Sequence, residues 1–403
     1  MSGPEQHAAP PVAGVNVVGQ FTSESGIGEA ARAVVAALDA ASVPVLPTLP
    51  LEASPSRQGV PFETVPLARA TFPVTLSCLT AYETPPFVAA APPSFLRGRR
   101  LVGLWWWEVE ELPDFMATAF SDVDAVWAGT QHVHDALARS AGDTPVELVR
   151  YAVRTPRPTP GTTRASLGLP ADGTLFLTVF GFYSSVARKN PDGAIEAFLR
   201  AFPTAEPGGP QLVLKTIDED AHPTELAALR ALADPHPHVH LLTGYRDREA
   251  MDDLLAAADV VVSLHRAEGF GYTPAEAMAI GRPAIATNYS GNLDYMDAAS
   301  AVLVDAALVP IGDHGGPYPP GARWADPDLD DAARAMRLLA GDPALRERLG
   351  AAGRAQLAER FSAAASGASM VTALRRLPPA TGGPGPIALW RARRLAAGLR
   401  ASR

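Results

Sequence analysis

The sequence predicts an α/β protein made of two doubly wound domains that face a central cleft. Three observations support this. At 403 residues the chain is longer than one ordinary hydrophobic core organises. Short apolar, β-branched runs alternate with helical patterns, which points to parallel sheets covered on both faces. The alternation breaks at Arg154-Thr-Pro-Arg-Pro-Thr-Pro-Gly-Thr-Thr163, where four of ten residues are Pro or Gly, and then restarts.

In the first half, Val15 to Gly19 reads as a strand and Ile27 to Ala41 as an alanine-rich helix, with further strands near 43–46, 73–79, 100–105 and 124–127. In the second half, strands at 175–180, 211–215, 239–242 and 259–264 alternate with helices at 191–202, 223–233 and 248–257. A helix over 274–280 follows, and 361–377 reads as a final helix. The expected division is a disordered terminus 1–13, an N-terminal domain 14–153, a linker 154–166, a C-terminal domain 167–360, the helix 361–377, and a basic tail 378–403. Residues 387–403 carry five arginines, Trp390 and no acid. As an amphipathic helix that segment suits an anionic membrane surface; as a solvated tail it needs no partner.

Composition narrows the function classes. A hydrophobic fraction of 47% with 19% charged residues is globular, and a formal net charge of -9 argues against nucleic acid as a partner. The lone Cys78, inside the apolar run Val74 to Leu79, excludes an intrachain disulfide and reads as a buried bystander. The start Met-Ser-Gly-Pro-Glu-Gln-His lacks the basic and apolar regions of a signal peptide, and no run approaches 18 apolar residues. The expected location is cytoplasmic, with at most peripheral contact at the inner face of a membrane.

The most informative segment is Glu268-Gly-Phe-Gly-Tyr-Thr-Pro-Ala-Glu276, two carboxylates with seven residues between them. Glu268 follows the strand 259–264, so it lies at the carboxyl end of a sheet, where α/β folds bind ligands. Gly269 and Gly271 allow a sharp turn and a close backbone approach. Thr273, Pro274 and Glu276 read as N-cap, N1 and N3 of the next helix, a capping box that would account for Glu276 without any ligand. A second cluster, Arg188-Lys189, lies between the strand 175–180 and a helix starting near Pro191. It suits a diphosphate, or is a solvated surface pair. The loop Gln20-Phe-Thr-Ser-Glu-Ser-Gly26-Ile-Gly28-Glu29 is a weaker phosphate-loop candidate that capping by Ser25 and Gly26 explains equally well. Asp122-Val-Asp124, Asp218-Glu-Asp220 and Asp326-Pro-Asp328 have the spacing of a metal-binding pair but read as solvated or turn carboxylates. Trp105-Trp-Trp-Glu108 follows a strand of the first half; Trp107 and Glu108 either bind a saccharide, by ring stacking and hydroxyl hydrogen bonds, or pack a core. His132 and His134 read as structural, and His265, Tyr245 and Arg246 as neighbours of a ligand pocket.

These residues resemble the retaining glycosyltransferases of the GT-B type, two Rossmann-like domains facing a cleft, specifically family 4. The resemblance covers about residues 14–376 and is carried by the Glu-x7-Glu motif from Glu268 to Glu276. It implies that Glu268 contacts the donor sugar near the reacting carbon and that Glu276 binds the ribose hydroxyls. It implies that Lys189 holds the diphosphate with Arg188 in support, since Ser184 stands at the family arginine position. Gly26 and Gly28 would approach the phosphates. Gly269, Phe270, Gly271, His265, Gly291, Asn292 and Tyr245 would line the donor site. Asn288-Tyr-Ser-Gly-Asn-Leu-Asp294 matches a donor-side loop, with Asp294 where many members have Glu, and no histidine lies between His7 and His132, where many members have one. The implied activity is transfer of a hexose from a nucleotide-diphosphate sugar to a saccharide, lipid or small-molecule hydroxyl, with no metal and no further cofactor. Front-face attack and a covalent intermediate on Glu268 both remain open. A non-catalytic nucleotide-sugar-binding or scaffold subunit is the alternative.

Overall fold

The computed structural model describes residues 12–313 and 316–377. Residues 1–11 of the expected disordered start 1–13, and the basic tail 378–403, lie outside the described residues.

The first sheet is built from β1 (Val15–Val18), β2 (Val45–Thr48), β3 (Val74–Ser77), β4 (Arg100–Trp105), β5 (Ala125–Ala128) and β6 (Val146–Leu148). Its helices are α1 (Gly26–Ala40), α2 (Thr84–Ala90), α3 (Pro93–Leu96), α4 (Asp114–Ala117) and α5 (Gln131–Ala138). The strands run parallel in the order β2-β1-β3-β4-β5-β6. The second sheet contains β7 (Leu175–Gly181), β8 (Gln211–Ile217), β9 (Val239–Leu242), β10 (Val260–Ser263), β11 (Ala284–Thr287) and β12 (Val302–Val304). It is also parallel, in the order β12-β11-β10-β7-β8-β9. Its helices are α6 (Val186–Lys189), α7 (Pro191–Ala201), α8 (Pro223–Ala233), α9 (Arg248–Ala257) and α10 (Tyr272–Ala279). An antiparallel hairpin, β13 (Ala306–Pro310) and β14 (Arg323–Pro327), precedes α11 (Leu329–Gly341), α12 (Pro343–Arg360) and α13 (Ala363–Arg376).

Strand order in the second sheet reverses between β7 and β10. At such a switch point the chain leaves adjacent strands in opposite directions and opens a crevice beyond their carboxyl ends. The segment after β7 carries Arg188 and Lys189, and the segment after β10 carries Glu268. The first sheet reverses between β1 and β3, and the loop after β1 carries Gly26 and Gly28.

Apolar periodicity holds these layers together. α1 starts at the N-cap Ser25, whose hydroxyl accepts the Gly28 N–H at 3.3 Å, and it buries Ala30, Ala31, Val34, Ala37 and Leu38 at helical spacing. α13 returns from the second half and adds Met370, Ala373 and Leu374 to the core under the first sheet. The hairpin also crosses: Ile311, Ala322 and Trp324 join the other first-sheet core, with Trp105, Trp107 and Phe120. Residues 154–163 form neither helix nor strand, yet they are strapped to α9, where Asp252 accepts the Arg157 N–H at 2.7 Å and pairs with Arg154.

Candidate active site

The two halves meet around Glu268. Its carboxylate pairs with Lys189 and stands 3.4 Å from the Arg188 guanidinium, which also donates to the Ala267 carbonyl at 3.0 Å. The same guanidinium lies 3.6 Å from Glu108 of the first half and acts electrostatically on Tyr318 of the hairpin loop. Arg188 is 5% exposed, so it is no solvated surface residue; it is a buried tie between the halves, with much of its donor capacity used internally. Burial opposes ionisation of Glu268, but Lys189, Arg188 and His265 outweigh it and bring the carboxyl down to about 2. Glu268 is therefore a fixed anion at neutral pH.

The turn that presents it is held by the backbone. The Glu268 N–H donates to Ser290 Oγ at 3.0 Å, and its carbonyl accepts the Gly291 N–H at 2.9 Å. A side chain on Gly291 would come within 2.1 Å of the Gly269 carbonyl oxygen. Gly269 itself passes the Trp107 carbonyl, and its own carbonyl accepts from Thr130 Oγ1 of the first half at 2.9 Å. Phe270, 3% exposed, stacks among Tyr272, Tyr295 and Phe361 and is a core residue. Asn292 is fully buried and donates to the Thr287 carbonyl. His265 is 1% exposed; Nε2 faces two acceptors, Tyr289 O and Asn292 Oδ1, so it carries the proton, while Nδ1 accepts from Ser263. Burial lowers its pKa and keeps it neutral.

Glu276 is not part of a capping box. α10 begins at Tyr272, two residues before the expected start, with Gly271 as N-cap at φ +87 and no side-chain cap. The reversal occurs at that glycine because Tyr295 Oη donates to its carbonyl at 2.7 Å and left-handed backbone suits Gly there. Glu276 thus lies beyond the first turn, 7% exposed, with its carboxylate 3.2 Å from Arg154 and 3.4 Å from Arg248. Glu29 of α1 shares both arginines and also pairs with Arg32 at 2.9 Å. Asp252 takes the far side of Arg154. Burial pushes the Glu276 carboxyl up to about 7; Arg154 and Arg248 favour its ionisation, and Glu29 and Asp252 oppose it.

That shift fixes a pH dependence. The folded value lies above the ordinary 4.5, so the protonated form stabilises the fold. This contribution is complete below the unfolded value and is lost as pH rises through the folded one. Between about pH 5 and 8, a Glu276→Gln variant is expected to lose less melting temperature by calorimetry than the wild type. Parallel curves would contradict it.

The remaining expected residues are placed as follows. Gly26 starts α1 with open space around it, whereas a side chain on Gly28 would meet the Ser23 carbonyl at 2.3 Å. Ser184 closes the short turn Phe182–Ser184 ahead of α6, half-buried. Trp107 is 4% exposed, donates to the Glu111 carbonyl and packs against Tyr318, so its ring is core rather than an open stacking face. Asp122 and Asp124 are not solvated: the first is 2% exposed, and the second pairs with Arg100 at 2.7 Å. Asp218 accepts the Tyr245 hydroxyl, and Asp328 caps α11. His132 is held by the Glu108 carbonyl at 2.8 Å. The sequence gives no role to Arg154, Arg248 and Asp252 around Glu276 or to Tyr318, and it marks Glu29 and Ser290 only as members of the glycine loop and of the donor-side loop.

Residues 178–356 match the sequence family described as glycosyl transferases group 1. The segment contains Lys189, Glu268 and Glu276. A D-inositol 3-phosphate glycosyltransferase of Kineococcus radiotolerans is 31% identical over 241 residues, covering 57% of this chain and 50% of that protein. This chain therefore matches half the length of that relative. Among solved structures, Anabaena HepE in complex with UDP and glucose superposes with TM-score 0.65 at 15% identity, covering 91% of this chain and 100% of HepE. Sucrose-phosphate synthase from Thermosynechococcus elongatus gives 0.62 at 19% identity, covering 90% and 98%. The fold is GT-B. Among the described residues no helix is long and apolar enough to cross a membrane.

Proposed function

We propose that the protein is a retaining, metal-independent glycosyltransferase of family 4 that moves a hexose from a nucleotide-diphosphate sugar to a saccharide, lipid or small-molecule hydroxyl. The observation that carries this is the Glu268–Lys189–Arg188 cluster at the β7/β10 switch point, facing Glu108 across the crevice. In this reading the second half holds the donor and the first half the acceptor. Leaving diphosphate charge is met by Lys189 and the amino end of α1. Glu268, anionic and held against Lys189, faces an oxocarbenium-like carbon. Glu276 takes the ribose hydroxyls once they replace an arginine, of which Arg248 is the more exposed at 41%. The nucleotide sugar is the co-substrate, and no other cofactor enters. Glu108, 28% exposed at the tip of the first half, is the acceptor-side candidate that remains open to solvent.

One observation favours a second reading. Arg188 is already engaged by Ala267, Glu268 and Glu108, and Ser184 supplies no charge, which leaves Lys189 as the main diphosphate cation. A nucleotide-sugar-binding or scaffold subunit would tolerate that; a transferase must compensate with helix dipoles.

Uridine, guanosine and adenosine diphosphate sugars, scored by thermal shift and released diphosphate, separate the two. At least one is expected to stabilise the protein and to be turned over equally well in EDTA. The sugar released by slow hydrolysis is expected to keep the donor's anomeric configuration by proton NMR. Stabilisation by none of the donors would end the donor-site assignment, binding without turnover would favour the scaffold, and inhibition by EDTA would refute metal independence.

A further inference from the structure

Phe115 is 50% exposed and Tyr82 is 64% exposed, and their rings meet edge to face with centroids 6.2 Å apart. Among the described residues no other phenylalanine is exposed. A phenyl ring has no polar atom to keep in water, so nothing in the side chain itself calls for this position. Exposed apolar surface gathered at one place marks a binding face.

Their place in the fold ties them to the crevice. Tyr82 follows the carboxyl end of β3 and Phe115 the carboxyl end of β4, and these are neighbouring parallel strands. The two connections are fastened to each other where Trp105 Nε1 donates to Thr84 Oγ1 at 3.2 Å. The segment after β4 also carries Glu108, 3.6 Å from Arg188 of the second half. The core beneath the rings, with Ala81, Leu112 and Met116, takes in Ile311 and Trp324 of the crossing hairpin. The pair thus shares a sheet edge with Glu108, on the acceptor side, where Trp107 is withdrawn into the core and these two rings are not.

Charge selects what the rings can hold. Residues 70–96 and 101–138 contain no lysine or arginine, and just before Phe115 in the chain Glu111 and Asp114 are exposed carboxylates. An anionic lipid surface or a phosphate ester would be repelled there. The hydroxyls of a neutral sugar instead donate to carboxylates, and the C–H face of a pyranose is apolar and packs on an aromatic ring. We infer that Tyr82 and Phe115 form a stacking platform for an uncharged sugar unit of the acceptor, with Glu111 and Asp114 taking its hydroxyls. The inference rests on the glycosyltransferase reading above and narrows its acceptor to a neutral saccharide.

The test uses the full chain and a donor that the wild type slowly hydrolyses, with nucleoside diphosphate release followed as maltose, cellobiose or chitobiose is added. At least one of these is expected to accelerate release. Tyr82→Ala and Phe115→Ala are each expected to raise the KM for that disaccharide about tenfold, the scale of truncating an aromatic anchor, with the KM for the donor unchanged. Phe115→Trp is expected to keep the wild-type value. Both rings are exposed, so thermal unfolding should show the variants folded. Donor hydrolysis that no disaccharide accelerates, an unchanged acceptor KM in both alanine variants, a parallel rise in both KM values, or faster release with glucose 6-phosphate than with any disaccharide would overturn the inference. So would wild-type binding to phosphatidylglycerol vesicles that both alanine variants lose, since the pair would then be a membrane contact. Failure of the wild type to bind or hydrolyse any nucleotide sugar would instead overturn the transferase reading beneath it.

Discussion

Replacing Glu268 by glutamine is expected to lower turnover by roughly a thousandfold or more, the scale of losing one preorganised electrostatic group at a reacting centre. Binding of the nucleoside diphosphate should change little. The amide keeps the shape of the side chain, but it carries no negative charge to set against an oxocarbenium-like carbon. Glu268→Ala is expected to behave differently. It leaves Lys189 and Arg188 without their carboxylate partner, and breaking a largely buried pair costs about 3 kcal/mol. Denaturant unfolding should therefore show both variants less stable than wild type, with alanine the less stable of the two because glutamine keeps a carbonyl acceptor for Lys189. A glutamine variant that keeps more than about a tenth of wild-type turnover would remove Glu268 from the reaction.

Glu276→Ala is expected to weaken nucleoside diphosphate binding by roughly a hundredfold. Two hydroxyl hydrogen bonds to a carboxylate, each contributing about 1.5 kcal/mol or more, account for that size. Inorganic pyrophosphate, which has no ribose, should bind the variant as it binds the wild type. The fold should survive, because Arg154 retains Asp252 and Arg248 retains Glu29. Isothermal titration with both ligands measures the contrast. Equal loss for both would mean that Glu276 serves only to organise its arginines.

Much of the architecture was legible because each period of apolar residues points to one kind of element. The helices at 223–233 and 248–257 and the strand at 239–242 appear with the expected bounds. The hairpin β13–β14 was not legible. Ala306–Pro310 is mostly exposed and lacks alternation, and its role depends on Trp324 and Ile311 reaching a core formed some 200 residues earlier. At the candidate site, Glu268, Lys189 and Glu276 stood out through local spacing. Glu29, Arg154, Arg248 and Asp252 did not, since each gains its meaning from partners 28 to 219 residues away. The supposed capping box failed for a similar reason. Thr273 and Glu276 have the right spacing, but Tyr295, far along the chain, anchors the helix start at Gly271 instead. For Trp107 the sequence left an acceptor platform and a core role open; packing against Tyr318, far along the chain, favours the core.

The two motif carboxylates consequently have different work. Glu268 is a permanent anion fixed between cations, whereas Glu276 titrates near neutrality inside a shared ion cluster. In the proposed reading only the first faces a reacting carbon at the switch point.

The central claim is that this cluster transfers sugar from a nucleotide donor. It is tested most directly by nucleoside diphosphate release from the donor panel, wild type beside Glu268→Gln at matched occupancy. Turnover of at least one donor by the wild type, lost a thousandfold or more in the variant, is the expected result. Donor binding by both proteins with no release from either would contradict it.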